Sequence, residues 1–464
     1  MNNILNSSKK HKMNTISNQK SIYDQLARQA ILDSKPSNKE YNFINSGREP
    51  LLFITNGSRL LRLPVDVRGP LQKLQSHNEK SLIDTLLLSY QKYEHEFIDP
   101  TPVQNPKTYA LSLAIAQSCN LGCSYCYAAQ GGFGGASKMM DVETAKQSID
   151  FILNDKVEGE KIQISFMGGE PLMNRKGIQS TTIYAQNQAQ AKGVEVNFSI
   201  TTNGTLIRTE DILFFEKHGF AVTISLDGGK EEHDLQRPMK NGKGSFNLIL
   251  KNIEPMLRSQ SKMQVSARIT VTPQNINVSE TLQNFIDLGF HSVGLSPLLN
   301  ANDHHNELNG EQLEHLLSEM IACGLAFEKA VLQGKAYPFL NMMNAYKEIE
   351  KNTHKPYPCG AGAGYLGVSA EGDFAACHRF VNDDKGAMGS LSAGIDSLKQ
   401  NKWLEERHVL NQKPCHQCWA RFLCGGGCHH EIIDNGRTAC EFIRSWLTFC
   451  LQSYDRVTKF TAVQ

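Results

Sequence analysis

The stretch CNLGCSYCYA, Cys119–Ala128, follows an apolar run, ALSLAIAQS (110–118), and sets three cysteines within eight residues. The run has the length and composition of a buried strand. The cysteines, Cys119, Cys123 and Cys126, are spaced CX3CX2C, with Tyr125 before the third. They therefore sit on the loop that leaves a strand, where parallel α/β folds place their chemistry. Three thiols are one short of a tetrahedral zinc site. They suit a [4Fe–4S] cubane with one iron left for another ligand. Zinc completed by a His or a distant Cys is the alternative.

Outward from that loop, strand-like runs alternate with helical stretches. KIQISFM (161–167), VEVNFSITTN (194–203), FAVTISLD (220–227), MQVSARITVT (263–272) and FHSVGLSP (290–297) are the remaining strands. Among the helices, DVETAKQSIDFILN carries Val142, Ala145, Ile149 and Ile152 on one face, with Asp141 as N-cap. Such alternation implies parallel strands joined by right-handed crossovers. Six strands suit an open, partial (βα)6 TIM-like barrel better than a closed eight-stranded one, so the fold class is α/β.

Polar motifs gather at the C-terminal strand ends. GGEP (168–171) follows the second strand, TTNG (201–204) ends the third, SLDG (225–228) ends the fourth, and Arg268 lies on the fifth. Strand periodicity puts Ser199, Thr201 and Asn203 on one face. Asp227 is either a turn-former before Gly228 or an acid–base residue on the rim. GGFGG (131–135) lacks the Lys and Ser/Thr of a phosphate loop and reads as a flexible flap.

The flanks differ in character. Residues 1–40, rich in Asn, Ser, Lys and Gln, read as a mobile leader with a short helix near SIYDQLARQAIL. Residues 41–105 form a small α+β module: YNFINS, LLFITNG and RLLRLP as strands, then GPLQKLQ and SLIDTLLLSYQKYEHEF as helices. The barrel occupies 106–304 and two bridging helices 305–356. The remainder, 357–464, is cysteine-rich, poor in long periodic elements, and expected to depend on bound metal.

Twelve cysteines in a chain of net charge +1, with no signal peptide, point to a reducing cytoplasm and to metal or redox roles. Near-neutral charge gives no reason to expect nucleic acid, and the short apolar runs none to expect a membrane span. Seven cysteines fall between Cys359 and Cys440: Cys359, Cys377, Cys415, Cys418, Cys424, Cys428 and Cys440. Cys323 and Cys450 lie in helical patterns, EMIACGLAFEKAV and IRSWLTFCLQSY, as small hydrophobes. His378, His416, His429 and His430 are near enough to the tail cysteines to be ligands or neighbours.

CX3CX2C with Tyr125, followed by GGEP, TTNG and SLDG, resembles the radical S-adenosylmethionine (SAM) enzymes over residues 108–300. The resemblance implies that SAM chelates the fourth iron and is cleaved by an electron from the cluster to a hydrogen-abstracting radical. It implies that Gly168, Gly169 and Glu170 meet the methionyl amine and that Tyr125 lies near the adenine. Asn203 and Ser225 are candidates for polar contacts to the cosubstrate. Arg268 pairs with the SAM carboxylate or faces outward at the surface.

The tail, with CGAGAGYLGVSAEGDFAACHRF (359–380) and CWARFLCGGGCHHE (418–431), resembles the SPASM extension of peptide-modifying radical enzymes. That implies two auxiliary [4Fe–4S] clusters, three in all. By resemblance Cys415, Cys418, Cys424 and Cys440 complete the distal cluster. Cys359, Cys377 and Cys428 then hold the proximal one and leave an iron open to a substrate thiolate. A four-thiolate zinc ribbon is the alternative.

The set resembles most the maturases that form thioether crosslinks in polypeptides, above all those of quinohemoprotein amine dehydrogenase. It implies a partner polypeptide rich in Cys and Asp/Glu, and an electron donor such as flavodoxin or ferredoxin. Thioether maturases of short ribosomal peptides look similar. Anaerobic sulfatase-maturating enzymes share the framework but carry an Asp directly after the Cys of GX4C, where this chain has His378. The small N-terminal module resembles leader-peptide recognition domains, which add the peptide as a strand to a sheet edge.

Overall fold

The computed structural model describes residues 20–35, 39–45, 50–63, 101–301 and 306–461. The helices expected at GPLQKLQ and SLIDTLLLSYQKYEHEF lie outside these residues. The three short strands precede them as expected: β1 (Tyr41–Asn45), β2 (Pro50–Ile54) and β3 (Arg59–Arg62) form an antiparallel sheet.

The six barrel strands are β4 (Ala110–Gln117), β6 (Lys161–Gly168), β7 (Glu195–Thr202), β8 (Ala221–Ser225), β9 (Gln264–Val271) and β10 (Ser292–Pro297). They pair in parallel in chain order, as right-handed βα units require. A two-residue strand, β5 (Lys138–Met139), pairs antiparallel with the end of β4. The partial barrel expected from the strand count is therefore present.

Each barrel strand separates its faces by its period of two. Phe166, Phe198 and Phe220 stack with near-parallel rings beneath the helices, with centroids 5.4 to 6.4 Å apart. The opposite face is polar. Ser199 Oγ donates to Ser165 Oγ (2.8 Å), and Ser266 and Ser292 share a hydrogen bond of 2.8 Å. The concave side of the barrel thus carries small hydroxyls. Helix ends follow their sequence cues: Asp141 caps Val142–Leu153 by accepting from Thr144 N at 2.7 Å.

The cysteine-rich tail does not stand apart. Strand β11 (Tyr365–Val368) pairs in parallel with β4, on the side opposite β6. Strands β12 (Asp373–Ala375), β13 (Ala387–Ser390) and β14 (Gly394–Ile395) continue antiparallel beyond it, making one eleven-stranded sheet. Leu366, Val368, Phe374, Phe380, Trp403 and Trp419 belong to the same apolar core as the barrel. The tail was expected to lean on metal for want of a core. Its apolar residues share the barrel's core, because its short strands find a ready sheet edge.

The ends of the chain also meet. A helix over residues 20–34, inside the stretch expected as a mobile leader, buries Ala27 and Ala30 in the main core. Trp419 Nε1 donates to Ser34 O at 2.9 Å, and Ser34 and Ser445 share a hydrogen bond of 3.1 Å. The last helix, Cys440–Thr461, packs on the bridging helices Gly310–Leu332 and Leu340–Glu350.

Candidate active site

The loop after β4 carries Cys119, Cys123 and Cys126, and neighbours on three sides fix it. Gly122 N donates to Pro238 O (2.8 Å) and Ser124 N to Gln236 O (3.1 Å), so the segment after helix Lys230–Gln236 straps its outer side. Asn203 Nδ2 donates to Asn120 Oδ1 (2.9 Å) and approaches Cys119 Sγ at 3.8 Å. Asn203 Oδ1 accepts from Thr205 N and Oγ1 at 2.9 and 2.6 Å. The amide of Asn203, expected to reach a cosubstrate, locks the cysteine loop to the end of β7.

The glycines of GGEP are required by close approach. Gly168 has φ +146°, and a Cβ there would lie 2.3 Å from Ala116 O. A Cβ on Gly169 would lie 2.3 Å from Ser118 O. Gly131, the first residue of GGFGG, is pressed on Cys119 so closely that a Cβ would meet its Cβ at 2.8 Å. GGFGG, expected as a flap, is at that end a packing surface for the cysteine loop, and Phe133 is buried in the core.

Glu170 is fully buried. Its carboxylate accepts from Thr202 Oγ1 (2.7 Å), Asn203 N (2.7 Å) and Leu172 N (3.0 Å), which ties β6 to β7. Burial pushes this carboxyl up from its usual range, while the hydrogen bond from Asn203 N pulls it back. The motif's carboxylate is thus engaged within the protein, and Gly169 N donates to Ala116 O at 2.8 Å.

Asp227 is also fully buried. One oxygen accepts from Thr270 N (2.8 Å) and the other from the Tyr125 hydroxyl. Arg237, which no motif had singled out, donates to Tyr125 Oη (2.5 Å) and lies 3.6 Å from Asp227 Oδ2. Burial pushes Asp227 up, and the guanidinium beside it opposes this. His233 accepts the Asp227 backbone N–H at Nδ1 (3.2 Å) and meets Ser245 at Nε2 (3.0 Å). Burial lowers its pKa to about 3, so the ring is neutral. The only hint in the sequence was the placement of His233 and Arg237 just after SLDG. Ser225 lies half-buried at the end of β8, and Arg268 lies on the lumen face of β9 rather than outward at the surface.

The tail cysteines separate into two groups. Cys415, Cys418, Cys424 and Cys440 line one pocket, with Arg437 and Arg444 in its wall. These arginines would offset the negative charge of four thiolates. Cys428 reaches the same wall. It also interacts with Cys359 and Cys377, which lie in each other's field. Arg379 Nη1 donates to Cys428 Sγ (3.7 Å) and Glu431 Oε1 (3.0 Å). Cys450 is fully buried elsewhere, its Sγ 3.9 Å from Met342 Sδ.

Tyr127 joins the first loop to the tail. Its ring meets His378 edge-on at 5.7 Å, and Arg379 lies 5.5 Å from its centroid. His378, expected as a possible ligand, has its Nδ1 bonded to Tyr365 Oη at 2.8 Å, and His430 lies 3.6 Å from Asp434.

Among the described residues no three His, Cys, Asp or Glu side chains converge tightly enough for a single metal ion. A tetrahedral zinc would draw its sulfurs to within about 3.8 Å of one another. A cubane takes thiolates on separate irons, more widely spaced. The three groups fit cubanes by donor type and number.

Comparison with known proteins agrees with this geometry. The radical SAM superfamily model matches residues 113–296. A serine-type anaerobic sulfatase-maturating enzyme of Klebsiella aerogenes is 23% identical over 346 residues, 72% of this chain and 84% of that one. A cysteine-type anaerobic sulfatase-maturating enzyme of Clostridium novyi is 29% identical over 376 residues, 75% of this chain and 96% of that one. An uncharacterized protein of Methanocaldococcus jannaschii is 32% identical over 213 residues, 45% of this chain and 70% of that one. The solved structure of native anSMEcpe with bound AdoMet and Cp18Cys peptide shares the fold, with a TM-score of 0.63 at 19% identity over 77% of this chain and 100% of that one. With the cysteine loop, its glycine supports and the partial barrel all in place, the chain belongs to the radical SAM superfamily, whose members use a [4Fe–4S] cluster and SAM.

Proposed function

We propose that this chain is a maturase that modifies a polypeptide by joining a cysteine sulfur to a side-chain carbon of Asp or Glu. The observation that carries the reading is the group Cys359, Cys377 and Cys428. It holds three thiols next to the first cysteine loop, while Cys450 is engaged in packing against Met342. A three-thiolate cluster leaves a place for a substrate sulfur. The names of the similar enzymes, and the peptide in the solved structure, support a polypeptide substrate.

Cys119, Cys123 and Cys126 would hold the cluster that binds SAM. Cys415, Cys418, Cys424 and Cys440 would hold a second, and Cys359, Cys377 and Cys428 a third. When bound, the first cluster and SAM supply a radical that removes hydrogen from carbon, and the chemistry is theirs. The chain's own part is positional. Asn203 and the 236–240 strap hold the cysteine loop, and the Gly168–Gly169 backbone lets SAM approach. Asp227 and Arg237 fix the Tyr125 ring. Arg379 would steady the Cys428 thiolate. Maturation of quinohemoprotein amine dehydrogenase is the specific form we favour, and a short ribosomal peptide is a second substrate of the same type.

The test is anaerobic incubation of the reconstituted, reduced chain with SAM and a polypeptide rich in Cys and Asp/Glu. We expect 5′-deoxyadenosine and loss of two hydrogens per crosslink, one from carbon and one from a thiol. One alkylatable thiol should vanish each time. The similarity to sulfatase-maturating enzymes favours a second reading, formylglycine formation. A product with all thiols still alkylatable, and an aldehyde at a former Ser, would decide for it.

A further inference from the structure

Arg268 takes part in none of the interactions described so far. It sits in the middle of β9, in register with Gly294 of β10 and Ser225 of β8. Ala267 and Ile269, on either side, point into the helix-facing core, so Arg268 points into the lumen with Ser266 and Thr270. Gly294 gives it room: a Cβ there would lie 3.2 Å from Nη1.

Lumen solvent reaches the side chain, yet protein surrounds it closely enough that desolvation disfavours its charge. Among the described residues the guanidinium makes no hydrogen bond and no ion pair. The charges it feels are Arg379 and Glu431, beside Cys428, and not Glu170 or Asp227. Glu431 is already bonded to Arg379 at 3.0 Å. The acidic group it feels is thus held by another cation, and among the described residues Arg268 itself has no paired anion. An unpaired, partly desolvated charge is costly unless a ligand matches it. The planar fork of Arg matches a carboxylate best. Three strands, β8, β7 and β6, also separate it from β4, whose loop carries the SAM-cluster cysteines.

We propose that Arg268 is the receptor for a carboxylate of the polypeptide substrate, an Asp or Glu side chain held in the lumen facing the Cys359–Cys377–Cys428 group. The inference rests on the polypeptide-modifying reading and deepens it by naming what fixes the acidic partner. The competing carboxylate is that of SAM.

Equilibrium dialysis of the cluster-loaded chain separates the two, with radiolabelled glutarate as acid probe and glutaramide as its neutral counterpart. We expect the wild type to bind glutarate and not glutaramide. Arg268→Gln should weaken glutarate at least tenfold, and Arg268→Lys should retain part of the binding. The SAM dissociation constant should stay within twofold in both variants, with iron content unchanged. The proposal is overturned if glutarate binds Arg268→Gln as well as wild type, or binds neither. It is also overturned if the variants lose SAM affinity tenfold while their affinity for decarboxylated SAM is unchanged. Arg268-dependent glutarate binding in a chain that forms no crosslink would sustain the receptor and count against the crosslinking reaction alone.

Discussion

Tyr125 illustrates what single residues do at this site. The resemblance placed it beside an adenine, and its hydroxyl is clamped between Asp227 and Arg237 in a space closed to solvent. Removing one member of a buried ion pair strands the other, a loss of about 3–5 kcal/mol. Arg237→Met should therefore lower the melting temperature strongly, and Asp227→Asn less, because an amide still bonds Thr270 N. The double variant should melt above Arg237→Met; simple additivity of the two losses would show that they do not act as a pair. His233 adds a pH term. Its folded pKa is about 3, against about 6.5 when unfolded. Between those values the unfolded chain binds the proton and the folded chain does not. Its contribution is thus complete above pH 6.5 and is lost as pH falls toward 3. His233→Gln should flatten the decline of melting temperature across that window relative to wild type.

At the scale of elements, strand period and loop position were readable because backbone geometry alone imposes them. All six barrel strands fall where alternation put them, and the cysteine loop follows the first. Asp141 caps its helix because the residue type and its place before an apolar face leave little choice. The helical setting of Cys450 likewise foretold packing. We expect Cys450→Ala to leave iron content unchanged and to cost about 1 kcal/mol, since little volume is removed. Cys428→Ala should instead lower the iron count by most of one cluster, roughly four of twelve irons per chain. Equal iron in both variants would contradict the assignment of the third thiol group. Arg237 and His233 escaped sequence reading because their roles come from partners on other elements: Tyr125 on the cysteine loop, Asp227 at the end of β8 and Ser245 before the next helix. No local pattern encodes such meetings.

For the whole molecule, the joining of its two ends has mechanical consequences. Trp419, fully buried, holds Ser34 by its indole N–H and packs edge-on against Phe53 at 5.5 Å. Trp419→Ala should cost about 3–5 kcal/mol. It should also expose the 20–34 helix to limited proteolysis while the Cys119 loop retains its iron. If cleavage is no faster than in wild type, the seam is not what holds that helix. The sequence by itself determined the partial α/β barrel, the rim on which its motifs gather, and the grouping of cysteines into sets of three and seven. Those follow from strand period, turn chemistry and ligand spacing, all of them local. Only the tertiary structure decided that β11 would extend the barrel sheet, that the 20–34 helix would join the main core, and that Arg268 would face the lumen with no ion pair among the described residues. The physical reason is that sheet-edge pairing, core packing and ion-pair balance link residues tens to hundreds of positions apart, and nothing along the chain records which distant groups will meet.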